Sequence, residues 1–238
     1  MDKFSINGPC RVRGTIKLSG SKNASLPILA ASILFDEPVE IKNLPKVKDI
    51  ETMLDLIKSL GFSIKKNKIK NSVIIKKKRI KTFASYSLVK TMRAGILVLG
   101  PLISKYKRAT TSLPGGCLIG ARPVNFHLNA LGKLGMTHSI KKGYIYANAH
   151  KGLKGSIIKF PKISVGATEN AILAATLAKG KTILKNCAIE PEIKIDMTNF
   201  LNKAGAKIKW IGKRSVEIDG VKKLNSISYS VMADRIEC

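Results

Sequence analysis

Long hydrophobic runs are missing from this sequence, and so are clusters of metal-ligating residues. The longest apolar stretch, residues 94–103, is shorter than the roughly 18 residues of a membrane-spanning helix. The opening residues Met-Asp-Lys-Phe-Ser-Ile contain no apolar signal region. The four cysteines show no Cys-x-x-Cys spacing, and the three histidines form no zinc-ligand pattern. We therefore expect a cytoplasmic protein with reduced thiols and without a membrane segment, a metal or a cofactor.

Acidic residues are scarce as well. Asp and Glu number 15 against 43 Lys and Arg, so the formal net charge is +28. A surface of this charge attracts phosphates, which leaves a non-specific nucleic-acid-binding basic protein as the alternative. The densest run, residues 65–81, alternates its nine Lys or Arg with isoleucine and valine, which predicts a β-hairpin with solvated lysines and no aromatic platform. Because the charge is spread over nearly every segment, it indicates a general lysine bias rather than one binding face.

An apolar helical run occurs three times, at residues 28–34, 96–102 and 172–178. Each copy is followed by a second helix, and the first and third copies share a strand between the two helices, at residues 40–44 and 182–186. Repeats of this kind indicate one structural unit, here of about 70 residues, used three times. Apolar helices of three such units pack best against one another, with the sheets outside.

A glycine is expected to end the second helix of each copy, since a helix often closes with a residue in the left-handed conformation. These glycines are Gly61, Gly135 and Gly205. An alternating strand follows each of them, at residues 62–66, 136–141 and 206–209. Each unit is therefore predicted to contain a strand, a helix, a strand, a helix and a hairpin, in a pseudo-threefold α/β domain.

One cysteine lies in a loop that is suited to anion contact. Cys117 has glycines around it within residues 115–120, so the backbone amides can turn toward a bound anion, and Arg122 adds a fixed positive charge. A thiol near such charge has an altered reactivity. The ordinary alternative is a buried structural cysteine in a turn; we interpret Cys117 as the reactive thiol.

Polar residues come just before the first helix of each copy, where the unpaired amides and the helix dipole favour an anion. The three segments are residues 19–23, which follow a predicted strand at residues 15–18, and residues 90–93 and 162–166. None of them is a P-loop, because Gly-x-x-x-x-Gly-Lys-Ser/Thr is absent. We expect the three helix starts to converge on one site.

Residues 111–126, Thr-Ser-Leu-Pro-Gly-Gly-Cys-Leu-Ile-Gly-Ala-Arg-Pro-Val-Asn-Phe, closely resemble the catalytic loop of the UDP-N-acetylglucosamine enolpyruvyl transferases, a group of the EPSP synthase family. The resemblance covers the whole chain, through Gly-Ser-Lys-Asn-Ala-Ser-Leu-Pro, Leu-Val-Lys-Thr-Met-Arg-Ala, Ser-Val-Gly-Ala-Thr-Glu-Asn-Ala-Ile-Leu and Ala-Asp-Arg-Ile-Glu. It implies an inside-out α/β barrel of three βαβαββ repeats. The related shikimate-pathway enzymes share the fold but lack the cysteine loop, so Cys117 argues against them.

The resemblance implies a reaction that opens peptidoglycan synthesis and cell wall biogenesis. The enolpyruvyl group of phosphoenolpyruvate is transferred to the 3′-hydroxyl of UDP-N-acetylglucosamine, and phosphate is released. Cys117 is implied as the proton donor, as the site of the covalent adduct and as the target of fosfomycin. The implied phosphoenolpyruvate-binding residues are Lys22, Asn23 and Arg122. The implied UDP-N-acetylglucosamine-binding residues are Arg93, Arg122, Pro123, Val124, Asn125, Phe126, Lys162, Ile163, Ser164 and Val165.

This sequence departs from the family pattern at three places. Asn125 stands where the family usually has aspartate, and Leu118 replaces a smaller alanine. The segment 190–196 is one residue longer than usual, which predicts a bulge at the start of that helix.

Family members are nearly twice as long as this chain. The resemblance therefore implies that the second barrel is missing, with the general-base carboxylate and several arginines that complete the site. Residues 1–18 are then expected to be a strand of the absent lobe, residues 19–231 a complete lobe of three repeats, and residues 232–238 a truncated crossover. On this interpretation the chain is an N-terminal part that is inactive without the C-terminal lobe.

Overall fold

A computed structural model of the protein describes residues 3, 5–9, 11, 13–67, 71–115 and 124–237, which form three sheets around central helices. The first unit contains α1 (Lys22–Ala31), a 3₁₀ turn (Ser32–Leu34), β1 (Val39–Lys42), α2 (Lys48–Ser59), β2 (Phe62–Asn67) and β3 (Ser72–Lys77). The second contains β4 (Phe83–Ala84), α3 (Tyr86–Val89), a 3₁₀ helix (Arg93–Val98), α4 (Leu99–Tyr106), β5 (Arg108–Ser112), α5 (Asn125–Lys133), β6 (Thr137–Lys141) and β7 (Tyr144–Asn148). The third contains β8 (Ile157–Lys159), α6 (Val165–Ala175), β9 (Lys181–Lys185), a π-helix (Glu192–Met197), α7 (Thr198–Lys203), β10 (Lys207–Trp210) and β11 (Ser215–Asp219), and β12 (Ile227–Ser230) follows it.

The three sheets have the same strand order. They run β12-β1-β3-β2, β4-β5-β7-β6 and β8-β9-β11-β10. In each sheet the first two strands are parallel, and the hairpin strands pair antiparallel. This shared topology is what three copies of one unit produce, as the repeated sequence predicts.

The predicted strand at residues 15–18 is wrong. The structure assigns no strand there, and residues 15–17 are exposed. The equivalent position beside β1 is taken by β12, which pairs in parallel register from Val39 with Ile227 to Lys42 with Ser230. Tyr229 of β12 is buried against the core, and the burial of its ring stabilises this pairing. The first unit is therefore completed by residues that follow the third unit.

The helices at the centre are buried on all sides, as their apolar sequences predict. Residues 24–31 of α1 and residues 167–175 of α6 are buried along their full length. α4 crosses α6 closely, because the Gly100 amide donates to Asn170 Oδ1 at 2.7 Å and the Ser104 hydroxyl donates to the Ala174 carbonyl at 2.7 Å. A Cβ at Gly100 would lie 2.2 Å from Asn170 Oδ1, so only glycine permits this approach.

The ends of the second helices also confirm the predictions. Gly61, Gly135 and Gly205 have φ of 93°, 102° and 99°, the left-handed conformation expected at a helix end. The extra residue in segment 190–196 is accommodated by the π-helix Glu192–Met197, because a π turn takes up one residue more than an α turn.

The predicted hairpin of the basic run is formed by β2 and β3. Val73 and Ile75 are buried, so one face of the hairpin packs on the core. Lys65 and Lys66 of the hairpin are exposed and therefore solvated. Among the helices that the structure describes, none is long and apolar enough to cross a membrane.

Candidate functional site

A cavity of about 580 Å³ lies where the first helices of the three units begin. α1, the 3₁₀ helix at Arg93 and α6 each contribute their first residues to its wall, and α2 and α5 add the rest. The lining residues are Lys22, Asn23, Leu26, Pro27, Asp49, Met92, Arg93, Ala94, Ile96, Leu97, Phe126, His127, Ile163, Ser164, Val165, Gly166 and Glu169. The predicted convergence of the three helix starts is thus present in the structure.

Two helix N-termini open into this cavity. Ser21 caps α1, its hydroxyl accepting from the Ala24 amide at 3.3 Å, and Ser164 caps α6, accepting from the Ala167 amide at 3.4 Å. Neither helix has an acidic residue in its first turn. At α1 the carboxylate of Asp234 offsets part of the helix dipole, because its Oδ2 accepts from the Lys22 amide at 3.4 Å. The first turn of α6 carries no such acid, so its positive end favours an anionic ligand.

The cations of the cavity are Lys22 and Arg93. Lys22 Nζ lies 3.4 Å from Asp49 Oδ2, and both side chains are partly exposed. An exposed ion pair of this kind contributes roughly 1 kcal/mol or less. A phosphate that carries more charge than Asp49 can therefore compete for Lys22.

His127 is a buried histidine in the cavity wall. Burial, and to a smaller extent the nearby charge of Arg93, lower its pKa to about 4. The imidazole is therefore neutral at physiological pH. Its Nδ1 lies 3.1 Å from Asn170 Nδ2 on α6.

Glu169 faces the same cavity from the second turn of α6. Burial, and to a smaller extent the carboxylates of Glu190 and Glu192, raise the pKa of its carboxyl to about 8. Glu192 is held by Arg235, whose Nε donates to Oε1 at 2.9 Å. Because Glu169 is mostly protonated at neutral pH, it adds little negative charge to a cavity that is otherwise suited to anions.

Most of the predicted site residues that the structure describes line this cavity. They are Lys22, Asn23, Arg93, Phe126, Ile163, Ser164 and Val165. Val124, Asn125 and Lys162 are adjacent in sequence but are not part of its wall, and Asn125 and Lys162 are exposed. Cys117, Leu118, Arg122 and Pro123 lie outside the described residues.

The described ends of the cysteine-containing segment lie close to the cavity. A Cβ at Gly115 would lie 2.1 Å from the Lys90 carbonyl oxygen, two residues before the lining residue Met92. On the other side of the segment, Phe126 is itself in the wall.

Three ionisable residues of the wall were not anticipated: Asp49, His127 and Glu169. One of them had a usable signal, since Glu169 follows Val165 by four residues and so lies one helical turn further on the same face. Asp49 and His127 come from the second helices of other units, and only the tertiary structure brings them to this cavity.

Comparison with known proteins gives consistent results. The family described as EPSP synthase (3-phosphoshikimate 1-carboxyvinyltransferase) matches residues 6–238. The chain is 61% identical over 237 residues to the UDP-N-acetylglucosamine 1-carboxyvinyltransferase of Pelagibacter ubique, and 50% identical over 238 residues to that of Hamiltonella defensa. Each match covers all of this chain and 56% of the relative, so the chain spans about half the length of the curated relatives it matches. These names give the nucleic-acid alternative no support.

Solved structures show the same fold. The enolpyruvyl transferase NikO from Streptomyces tendae superposes with a TM-score of 0.80 at 21% identity, over 98% of this chain and 55% of that chain. An EPSP synthase from Acinetobacter baumannii gives a TM-score of 0.72 at 20% identity, over 92% of this chain and 50% of that chain. The predicted inside-out α/β barrel of three repeats is thereby confirmed.

Proposed function

The chain belongs to the EPSP synthase family, and from this premise we propose that it supplies one lobe of a UDP-N-acetylglucosamine 1-carboxyvinyltransferase. The observation that carries the proposal is the cavity at which three helix starts meet, because it gathers Lys22, Asn23, Arg93 and Ser164 in one wall. The relatives at 61% and 50% identity carry that enzyme name. An enzyme of this kind transfers the enolpyruvyl group of phosphoenolpyruvate to the 3′-hydroxyl of UDP-N-acetylglucosamine.

In this proposal the two helix N-termini bind the two anionic substrates. The N-terminus of α1, with Lys22 and Asn23, holds the phosphate of phosphoenolpyruvate together with Arg122. The N-terminus of α6, with Arg93, holds the UDP-sugar, and residues 122–126 and 162–165 complete that site. Cations and helix dipoles stabilise the charge of a phosphate that leaves during the reaction.

Cys117 is proposed as the proton donor. As the oxygen of the sugar hydroxyl bonds to the central carbon of phosphoenolpyruvate, the methylene carbon takes the proton of the Cys117 thiol. Loss of a proton from the resulting methyl group then restores the double bond and expels phosphate. In place of the sugar oxygen, the sulfur of Cys117 can bond to the central carbon while its proton goes to the methylene carbon, which gives the covalent adduct. We assign the base that accepts the hydroxyl proton to the part of the relatives that this chain does not span.

The proposed lobe consists of residues 19–231, which contain all three units and β12. Residues 1–18 and 232–238 are proposed to connect it to a second lobe. Since phosphoenolpyruvate is an intermediate of central metabolism, we place the reaction in the cytoplasm, where it would start peptidoglycan synthesis. The proposed activity needs no metal or cofactor.

Phosphate release tests this function. We expect no turnover by the 238-residue chain alone, and turnover when the remaining part of the Pelagibacter ubique relative is supplied in trans. UDP-N-acetylglucosamine should support release, whereas 3-phosphoshikimate should not. Release with 3-phosphoshikimate as the preferred acceptor would contradict the proposed substrate, and release by the chain alone at an ordinary enzymatic rate would contradict the need for a second lobe.

A further inference from the structure

Asn170 is a fully buried polar residue of α6, and its hydrogen bonds fix its orientation. Its Oδ1 accepts from the Gly100 amide at 2.7 Å, and its Nδ2 donates to the Ile96 carbonyl at 3.0 Å. A backbone amide can only donate and a carbonyl can only accept. The Asn170 side chain therefore cannot be flipped, and it is the NH₂ group that lies 3.1 Å from His127 Nδ1.

This orientation determines the tautomer of His127. Since Asn170 Nδ2 is a donor, His127 Nδ1 has to be the acceptor, and in a neutral imidazole the proton then lies on Nε2. The low pKa of about 4, which burial and Arg93 cause, keeps the ring in this neutral form. His127 thus presents one N–H donor, without a charge, on the side that faces away from Asn170.

That donor is directed at the start of α6. A Cβ built on Gly166 would lie 3.3 Å from His127 Nε2 and 3.1 Å from Cε1, so the ring edge faces the first turn of the helix. His127 is only 5% exposed, and both it and Gly166 line the cavity. Within the part of the chain that the structure describes, Nε2 has no hydrogen-bond acceptor.

Nε2 is not among the fully buried unpaired side-chain atoms of the described residues, so it opens into the cavity, where its acceptor has to be water or a ligand oxygen. A ligand oxygen at this point of the cavity can replace the water. The Val165 and Gly166 amides of α6 have no intrahelical partner either, because they lie in its first turn, whereas the Ala167 amide donates to the Ser164 cap. A phosphate oxygen at the N-terminus of α6 would accept from both these amides and the imidazole.

Resting on the function proposed above, we propose that His127 is a ligand-binding residue of this cavity. Its Nε2–H donates a hydrogen bond to an oxygen of the UDP-sugar at the N-terminus of α6. Asn170 acts through His127 as a positioning residue that holds the ring in the donor tautomer. A Cβ at Gly166 would lie 3.1 Å from Cε1 of the ring, so a side chain there would push the ring slightly out of this position.

Two measurements on the 238-residue chain test this inference. Long-range ¹H–¹⁵N NMR of the histidine rings, with His127 assigned through His127→Gln, should show the Nε2–H tautomer without ligand, and the signal should shift when UDP-N-acetylglucosamine is added. By titration calorimetry, His127→Phe should weaken binding of that sugar nucleotide about tenfold or more, the loss of one buried hydrogen bond. His127→Gln, whose amide can donate from a similar position, should lose less than about threefold.

Further variants separate this role from a structural one. Asn170→Asp turns the partner into an acceptor, so the ring proton should move to Nδ1 and binding should weaken as in His127→Phe. His138→Phe, at an exposed position of β6, is the matched control and should bind like the unmodified chain.

The outcomes distinguish the inference from the function on which it rests. If the unmodified chain binds the UDP-sugar and His127→Phe binds it equally well, the inference is wrong and the proposed function stands. If the unmodified chain does not bind it even when the rest of the relative is supplied, the proposed function fails, and the ligand part of the inference fails with it. A proton found on Nδ1 of the unmodified protein overturns the role of Asn170 in either case.

Discussion

Glu169 makes the stability of this protein depend on pH in a specific direction. Its carboxyl is 5% exposed, and burial together with Glu190 and Glu192 raises its pKa from 4.5 to about 8. In the unfolded chain this group loses its proton near pH 4.5, whereas in the folded protein it keeps the proton until about pH 8. The unfolded state therefore binds fewer protons between these values, and the free energy of unfolding falls as the pH rises through this window.

The size of the effect follows from the same shift. Each pH unit between the two pKa values costs about 1.4 kcal/mol. Between pH 5 and pH 8 the loss is about 3 kcal/mol, because the group is already partly titrated at both ends. This is a large part of the roughly 5–15 kcal/mol that stabilises a typical domain.

Glu169→Gln removes the titrating group and keeps a similar shape. Between pH 5 and pH 8 the free energy of unfolding should fall in both proteins. The fall should be about 3 kcal/mol smaller in Glu169→Gln than in the unmodified protein. Urea titrations at both pH values measure this difference. Unfolding can be monitored by the fluorescence of Trp210, the single tryptophan, because it lies on β10 of the same unit as Glu169. Both proteins contain the other titrating groups, such as buried Asp196. The contributions of those groups to the pH dependence therefore cancel in the comparison.

Glu37→Gln is the matched control, because Glu37 is exposed. It should show the pH dependence of the unmodified protein. If Glu169→Gln also follows the unmodified protein in parallel from pH 5 to pH 8, Glu169 is not a buried neutral acid and the reasoning is refuted.

The remaining predictions concern the cysteines and the helix crossing. With the rest of the relative supplied, Cys117→Ala should lower turnover by about 10²-fold or more, since the proton donor is lost, and fosfomycin with UDP-N-acetylglucosamine should label Cys117 alone in a mass map. Cys187, whose pKa burial raises to about 12, supplies the control: Cys187→Ala should keep its turnover, and labelling of Cys187 in place of Cys117 would contradict the assignment. Gly100→Ala should destabilise the fold by about 1–3 kcal/mol, because the new methyl group would lie 2.6 Å from the Asn170 carbonyl oxygen. An unchanged urea midpoint would show that the two helices can separate at no cost.

Local sequence patterns were sufficient to predict the units of this fold. Apolar runs of seven residues predict buried helices because every face of those helices has to leave water. The glycines that end the second helices were predictable for a local reason too, since few other residues adopt a positive φ without strain. The extra residue of segment 190–196 likewise predicted the π-helix, because one inserted residue in a helix has few ways to be accommodated.

The convergence of the helix starts could also be predicted, because three copies of one unit around a common axis bring equivalent positions together. Residues such as Lys22 and Ser164 precede equivalent helices, so the repeat predicted a shared site for them. Their roles toward phosphoenolpyruvate and the UDP-sugar came from the resemblance and stay proposals.

Only the tertiary structure decided which strand completes the first unit and which protonation states the side chains of the cavity have. β1 pairs with β12, which follows the third unit, and local alternation carries no record of which distant strand lies beside β1. The state of His127 and Glu169 has the same origin. A lone histidine or glutamate in a sequence has its ordinary pKa, and it is the burial of each among other units, with Arg93 beside one and Glu190 and Glu192 near the other, that makes both groups neutral.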